Sequence, residues 1–245
     1  KAQVTNAAEL SIAYSPGVAE PCRRIAENKE TAWLYTWKGN TIAIVSDGSA
    51  VLGLGNIGPD AALPVMEGKA VLFKEFGDVD AIPLCLNTQD VDEIVQIVKS
   101  LEPTIAGVNL EDISSPRCFE IEARLKAETN MFIFHDDQHG TAVVALAGLI
   151  NALKVVGKDK DAVILVNGIG AAGGAIIRLL VQDGYKNIIA CGRRGRLIPG
   201  DPKNNPIQEE IAQITNPGSK EQTLQEALVG ADVFIGVSAA NVLTQ

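Results

Sequence analysis

The feature that most limits what this chain can fold into is an alternation. Short apolar runs rich in β-branched residues exchange with longer segments whose apolar positions recur every three or four residues. "TIAIVS" (41–46), "AIPLCLN" (81–87), "TIAGVNL" (104–110) and "MFIFH" (131–135) read as strands. Between them, 59–77 reads as a helix opened by Pro59, with Pro64 and Gly68 weakening its first half. Residues 90–102 read as a helix capped by Asp90, and 115–128 as one with Ser115 at the N-cap and Pro116 at N1. A long helix is expected over 138–156. The pattern then repeats, with a strand at 161–168, a helix at 171–183 and a strand at 187–192. A polar excursion over 193–218 holds one helix at 206–214, and a short helix at 222–229 leads to a strand at 231–238. Such alternation predicts an α/β fold with parallel sheets covered by helices. Two domains are expected, 1–135 and 136–245, with the long helix as connector.

Composition narrows the function classes. Hydrophobic residues are 47% of the 245, enough for a substantial core, and no run of 18 consecutive apolar residues indicates a membrane span. The formal charge of −9 argues against nucleic acid or an anionic membrane as partner. Cys22, Cys85, Cys118 and Cys191 are far apart and read as reduced, mostly buried thiols. With no secretory leader visible, a cytoplasmic protein is expected.

Two acidic pairs occupy equivalent places: Glu111 and Asp112 follow the strand 104–110, and Asp136 and Asp137 follow 131–135. Ligands of open parallel sheets bind beyond the carboxyl ends of strands. If these strands are neighbours, four carboxylates converge and repel unless neutralised, and oxygen-only ligation suits Mg²⁺ or Mn²⁺. The alternative is that Asp137 caps the helix from Gln138 and Asp112 caps a turn before Ser114. His135 and His139 lack the H-E-x-x-H spacing of a zinc helix.

Lys69 lies within an apolar stripe, with Val65 and Met66 before it and Leu72 and Phe73 after it. Burial would lower its pKa toward that of a general base, whereas a snorkelling stem would leave the ammonium in water. "VILVNGIGAAGGA" (163–175) places Gly168, Gly170 and Gly173 as G-x-G-x-x-G between a strand and a helix. That is the context of a dinucleotide-binding loop. The second strand ends Ala190-Cys191-Gly192-Arg193-Arg194, without the acidic residue that holds the ribose of NAD. Gly192, Arg193 and Arg194 argue for NADP, unless the arginines are solvated loop residues.

Taken together, these segments resemble the malic enzymes, in particular the short bacterial and archaeal form. The resemblance is carried by "LSIAYSPGVAEP" (10–21), "SDGSAVLGLGNIGP" (46–59), "MEGKAVLF" (66–73), "NLEDISSPRCFEIE" (109–122), "FHDDQHGTA" (134–142) and "ADVFIGVS" (231–238). It implies an N-terminal substrate and metal domain followed by a Rossmann-like domain that continues beyond Gln245. It implies oxidative decarboxylation of L-malate to pyruvate and CO₂ with NAD or NADP and Mg²⁺ or Mn²⁺. Tyr14 matches the family's proton donor, Lys69 its base, and Asp136 the residue beside that lysine. Glu111, Asp112 and Asp137 match the metal ligands. Gly168, Gly170, Ala171, Ala172, Gly173, Gly192, Arg193, Arg194 and Ser238 would hold the dinucleotide. Ala50 stands where long-form members carry a substrate-binding arginine. The resemblance further implies a homodimer or dimer of dimers. Two competing readings are a metal-independent amino-acid dehydrogenase and a nucleotide-responsive module without catalysis.

Overall fold

The computed structural model describes residues 3–243. It contains two four-stranded sheets. The first is built from β1 (Thr41–Ser46), β2 (Asp80–Cys85), β3 (Gly107–Leu110) and β4 (Phe132–His135), all parallel and ordered β2-β1-β3-β4. Strand β1 matches its predicted span; β2, β3 and β4 are shorter than their apolar runs. Ala43 and Val45 of β1 face one way and join the fully buried Val108, Leu110, Ile94 and Ile121 in a core. That core is closed by α5 (Val91–Ser100) and α6 (Arg117–Glu128). On the opposite face α4 (Pro59–Gly77) lies against β1 and β2 and buries Ala62 and Met66. Its helix runs unbroken through Pro64, so packing on the sheet outweighs the lost backbone donor.

The second sheet comprises β5 (Ile164–Asn167), β6 (Ile188–Gly192), β7 (Gly195–Arg196) and β8 (Val233–Gly236) in the order β7-β6-β5-β8. Strands β5, β6 and β8 are parallel, and β7 is a short antiparallel return from β6. The chain leaves β5 toward β6 on one side and reaches β8 on the other, which makes the β5–β8 junction a topological switch point. Helices α7 (Thr141–Val156), α8 (Ala171–Gln182) and α9 (Pro206–Thr215) pack on one face around Ile164, Val166, Ile177 and Leu180. The short α10 (Leu224–Leu228) closes the other face over Leu165 and Cys191.

Before β1 the chain forms α1 (Ala7–Ala13), α2 (Ala19–Glu27) and α3 (Ala32–Tyr35), none of which the alternation pattern reveals. These helices contain no buried residue and leave Leu10, Ile12, Trp33 and Leu34 exposed, so their apolar residues do not signal a core within this chain. Three other expectations are corrected. Helix α6 begins at Arg117 with Pro116, not Ser115, at its N-cap; just before it, Ser114 N–H donates to Ser49 Oγ at 2.9 Å in the loop after β1. The long helix begins two residues early, as a π turn over Asp136–Gly140. With α7 it makes a 21-residue helix, Asp136–Val156, the one helix among the described residues long and apolar enough to cross a bilayer; its Ala142, Leu149 and Leu153 lie in the second core. Of the four free thiols, Cys118 and Cys191 are buried, Cys85 is half-buried and Cys22 is exposed.

Candidate functional site

Strands β3 and β4 are neighbours, and their register pairs Leu110 with His135. The two acidic pairs therefore leave the sheet side by side. One carboxylate oxygen each from Glu111, Asp112 and Asp137 lies within 4.8 Å of the others. Asp137 does not cap the helix; its Oδ2 accepts from the Asp112 backbone N–H at 3.0 Å. That contact fits the left-handed backbone of Asp112 (φ 54°), which turns its amide toward the neighbouring strand end. Across the crevice α4 delivers Lys69, whose Nζ lies 2.8 Å from Asp136 Oδ2 and 3.1 Å from Glu111 Oε1. Within the predicted apolar stripe only Met66 is fully buried, whereas Val65 and Leu72 are exposed.

The crevice carries excess negative charge. Burial, and then the charge of Asp137, raises the Glu111 carboxyl to about 7. The same two causes raise Asp112 to about 6, and one of its oxygens, Oδ2, is buried without a hydrogen-bond partner. Three converging carboxylates, two of them buried and reluctant to ionise, with one orphaned oxygen, are the donor set a hard divalent cation neutralises. Lys69 follows neither of the two alternatives. Burial does push its pKa down, but hydrogen bonds and charge from Asp136 and Glu111 outweigh that, and it lies above the usual lysine value.

Several residues that hold this crevice carried no assigned role in the sequence. Asn109, two positions before Glu111 in β3 and so on the same face, donates to Glu111 Oε2 at 2.8 Å. Beneath the loops, fully buried Asp47 accepts from Arg117 Nη2 at 2.8 Å and from Ser49 N–H at 2.9 Å. Ala50 N–H donates to the Asp112 carbonyl at 2.9 Å, so the loop after β1 is tied to the loop that bears Glu111 and Asp112. Gly140 matters for another reason: a Cβ there would stand 2.2 Å from Asp136 Oδ1, so a larger residue would displace that carboxylate. A glycine inside a helical pattern was the one visible signal.

The glycine loop lies over the switch point of the second sheet. Gly168 has φ 108° and sits against Ser238, where a Cβ would come within 2.7 Å of its backbone N. A Cβ on Gly173 would meet the Gly168 carbonyl at 1.9 Å, whereas Gly170 has nothing within 4 Å. A strained turn, open backbone and tight helix packing are the three roles a dinucleotide loop assigns to its glycines. Ser238 Oγ accepts from Asn167 Nδ2 at 2.8 Å, tying the segment after β8 to the end of β5. Gly168, Gly170, Gly192, Arg193, Arg194 and Ser238 all line one cleft of about 1100 Å³. Ala171, Ala172 and Gly173 are not on its wall; they form the first turn of α8. Arg194 is paired with Asp201 at 2.7 Å. The two sites meet through α8, which packs on the π turn of Asp136 and Asp137 and sets Ala171 against the first core.

Tyr14 is not brought into the crevice. It caps the C-terminus of α1 with 69% of its surface exposed, and its hydroxyl makes no hydrogen bond to any described residue.

Comparison with known proteins places this geometry. The family described as "Malic enzyme, N-terminal domain" matches residues 1–91 and 87–126. The bifunctional malic/malolactic enzyme of Bacillus subtilis is 58% identical over 247 aligned residues, covering 100% of this chain and 60% of that protein. The NADP-dependent malic enzyme of Rhizobium meliloti is 50% identical, over 96% of this chain and 31% of its own length. The crystal structure of the NAD-dependent malic enzyme of Thermotoga maritima superposes with a TM-score of 0.95 at 52% identity, covering 99% of this chain and 65% of that one. The chain thus spans less than two thirds of these relatives. Paired acidic strand ends facing a lysine, and a glycine loop reached through α8, are features of a chain that belongs to the malic enzyme family.

Proposed function

We propose that the chain supplies the catalytic groups for oxidative decarboxylation of L-malate to pyruvate and CO₂, with reduction of NAD or NADP and dependence on Mg²⁺ or Mn²⁺. The observation that carries this reading is Lys69 Nζ standing between Glu111 and Asp136, beside the three-carboxylate cluster. Glu111, Asp112 and Asp137 are the residues that would hold the cation. A bound cation would supply Lewis acidity toward a substrate oxygen. Lys69 removes the proton of the C2 hydroxyl. With Glu111 committed to the cation, Asp136 is the remaining anion against Nζ, so Lys69 loses one of the two groups that raise its pKa. Gly168 and Gly170, at the entry to α8, would present backbone N–H groups to the dinucleotide pyrophosphate. Asp136 orients Lys69 through the 2.8 Å contact. The proton that returns to C3 is assigned to Tyr14, on family resemblance alone.

The assignment extends to organisation. Residues 1–135 would form the substrate and metal domain and 136–245 the dinucleotide domain, and the exposed apolar residues of α1–α3 fit a homodimer or dimer of dimers. The test is reduced-nicotinamide absorbance with L-malate and Mn²⁺, using NAD and NADP in parallel and a chelator control. A chelator-sensitive rise is expected. No rise with either dinucleotide from the full-length protein would favour the nucleotide-responsive module instead.

A further inference from the structure

We propose that Glu122 is a positioning residue for the carboxylate cluster: from α6 it holds the π turn that aims Asp136 and Asp137 at the crevice. The inference rests on the metal reading above. In an α-helix of 3.6 residues per turn, adjacent side chains diverge by about 100°. Two neighbouring aspartates would then serve different sides. Here both serve the crevice, Asp136 through Lys69 at 2.8 Å and Asp137 through the Asp112 amide at 3.0 Å. Both belong to the π turn over Asp136–Gly140. π turns are rare and occur mostly as single turns within α-helices, frequently at functional sites.

The next two residues of the turn are held by α6. Gln138 Nε2 donates to Glu122 Oε2 at 3.1 Å, and His139 Nε2 donates to Glu122 Oε1 at 2.5 Å. The turn is therefore gripped on both sides, by the crevice through residues 136 and 137 and by α6 through 138 and 139. Glu122 is only 6% exposed, and a buried carboxylate is tolerated only when its oxygens are occupied and its charge balanced. Both oxygens are occupied, and Lys126, one turn along α6, places Nζ 2.7 Å from Oε1. Glu122 touches neither Lys69 nor any of the clustered oxygens. It acts through the backbone that carries them, in the way outer groups orient metal ligands elsewhere.

The test uses the full-length protein and titrates Mn²⁺ by calorimetry and NADH and NADPH by fluorescence. In Glu122→Ala the Mn²⁺ Kd should rise about 10–100-fold, while the Kd of each dinucleotide stays within about twofold. Loss of structure alone would weaken both ligands together. Glu122→Gln keeps the volume and one acceptor oxygen and should show a smaller rise in the same direction. Should both Glu122 variants fail to fold, Gln138→Ala removes one donor and leaves the carboxylate in place; a selective loss of Mn²⁺ affinity is again expected. Unchanged Mn²⁺ affinity in a folded variant overturns the positioning role. Absence of Mn²⁺ binding in the wild-type protein overturns the metal reading instead.

Discussion

The crevice of the first sheet and the cleft of the second are both built beyond the carboxyl ends of parallel strands, yet they are made of different material. The crevice is made of side chains. Glu111 and Asp112 are buried, with pKa values raised to about 7 and about 6, and the loops that carry them are tied down through Asn109, Asp47 and Arg117. The cleft is framed by backbone, with a positive-φ glycine at the turn and another glycine with open space above it, and Arg193, Arg194 and Asp201 are among the charged residues that line it. The difference separates chemistry from recognition. Moving protons needs groups whose charge the fold controls, whereas gripping a pyrophosphate needs amides and room.

The largest expected effect tests that separation directly. Lys69→Ala should cut turnover by about 10²–10⁴-fold, the usual worth of a general base, and leave dinucleotide Kd unchanged. Equal turnover in the variant would remove Lys69 from the chemistry.

Next comes the electrostatic cost of gathering these carboxylates. Glu111 has a folded pKa of about 7 against an ordinary 4.5, so the folded state binds the extra proton between those values. Stability of the metal-free protein is therefore greatest below that window and falls as pH rises through it. The contribution is about 3 kcal/mol for Glu111, with Asp112 adding in the same direction. Thermal unfolding in chelator from pH 4.5 to 7.5 should show the decline, Mn²⁺ should reverse it at the upper end, and Glu111→Gln should flatten it. A variant with the wild-type slope would show that the charge is relieved elsewhere.

On the cleft, Gly170→Ala should raise the KM for dinucleotide by about tenfold, equivalent to about 1.4 kcal/mol. The open space around Gly170 predicts little change in Tm. A matched fall in Tm would mean the glycine serves the fold. The smallest effect concerns cofactor choice. Asp201 neutralises Arg194 in the cleft lining, so Asp201→Ala should free the guanidinium and improve the NADP:NAD ratio of kcat/KM by a few-fold, the scale of an exposed ion pair. An unchanged ratio would leave Arg193 or other groups to set the preference.

The α/β class, the span of β1, the span of α4 and the glycine loop were legible in the amino-acid order because each depends on local periodicity or a fixed spacing. So were Glu111, Asp112, Asp136 and Asp137, since acidic pairs at strand ends stand out against apolar runs. What the order of residues could not contain was adjacency. Only the β2-β1-β3-β4 arrangement places the ends of β3 and β4 side by side and brings α4 across to set Lys69 between two carboxylates. That arrangement also reversed the shift that burial alone would give Lys69, because burial is a property of one side chain whereas ion pairing depends on residues some 40 and 67 positions away. The Asp47–Arg117 pair and the grip of Glu122 on the π turn are long-range hydrogen bonds, visible only once the helices are packed. Local chemistry determined the elements and the inventory of reactive groups. Tertiary structure decided which groups meet, and with that the charge each of them carries.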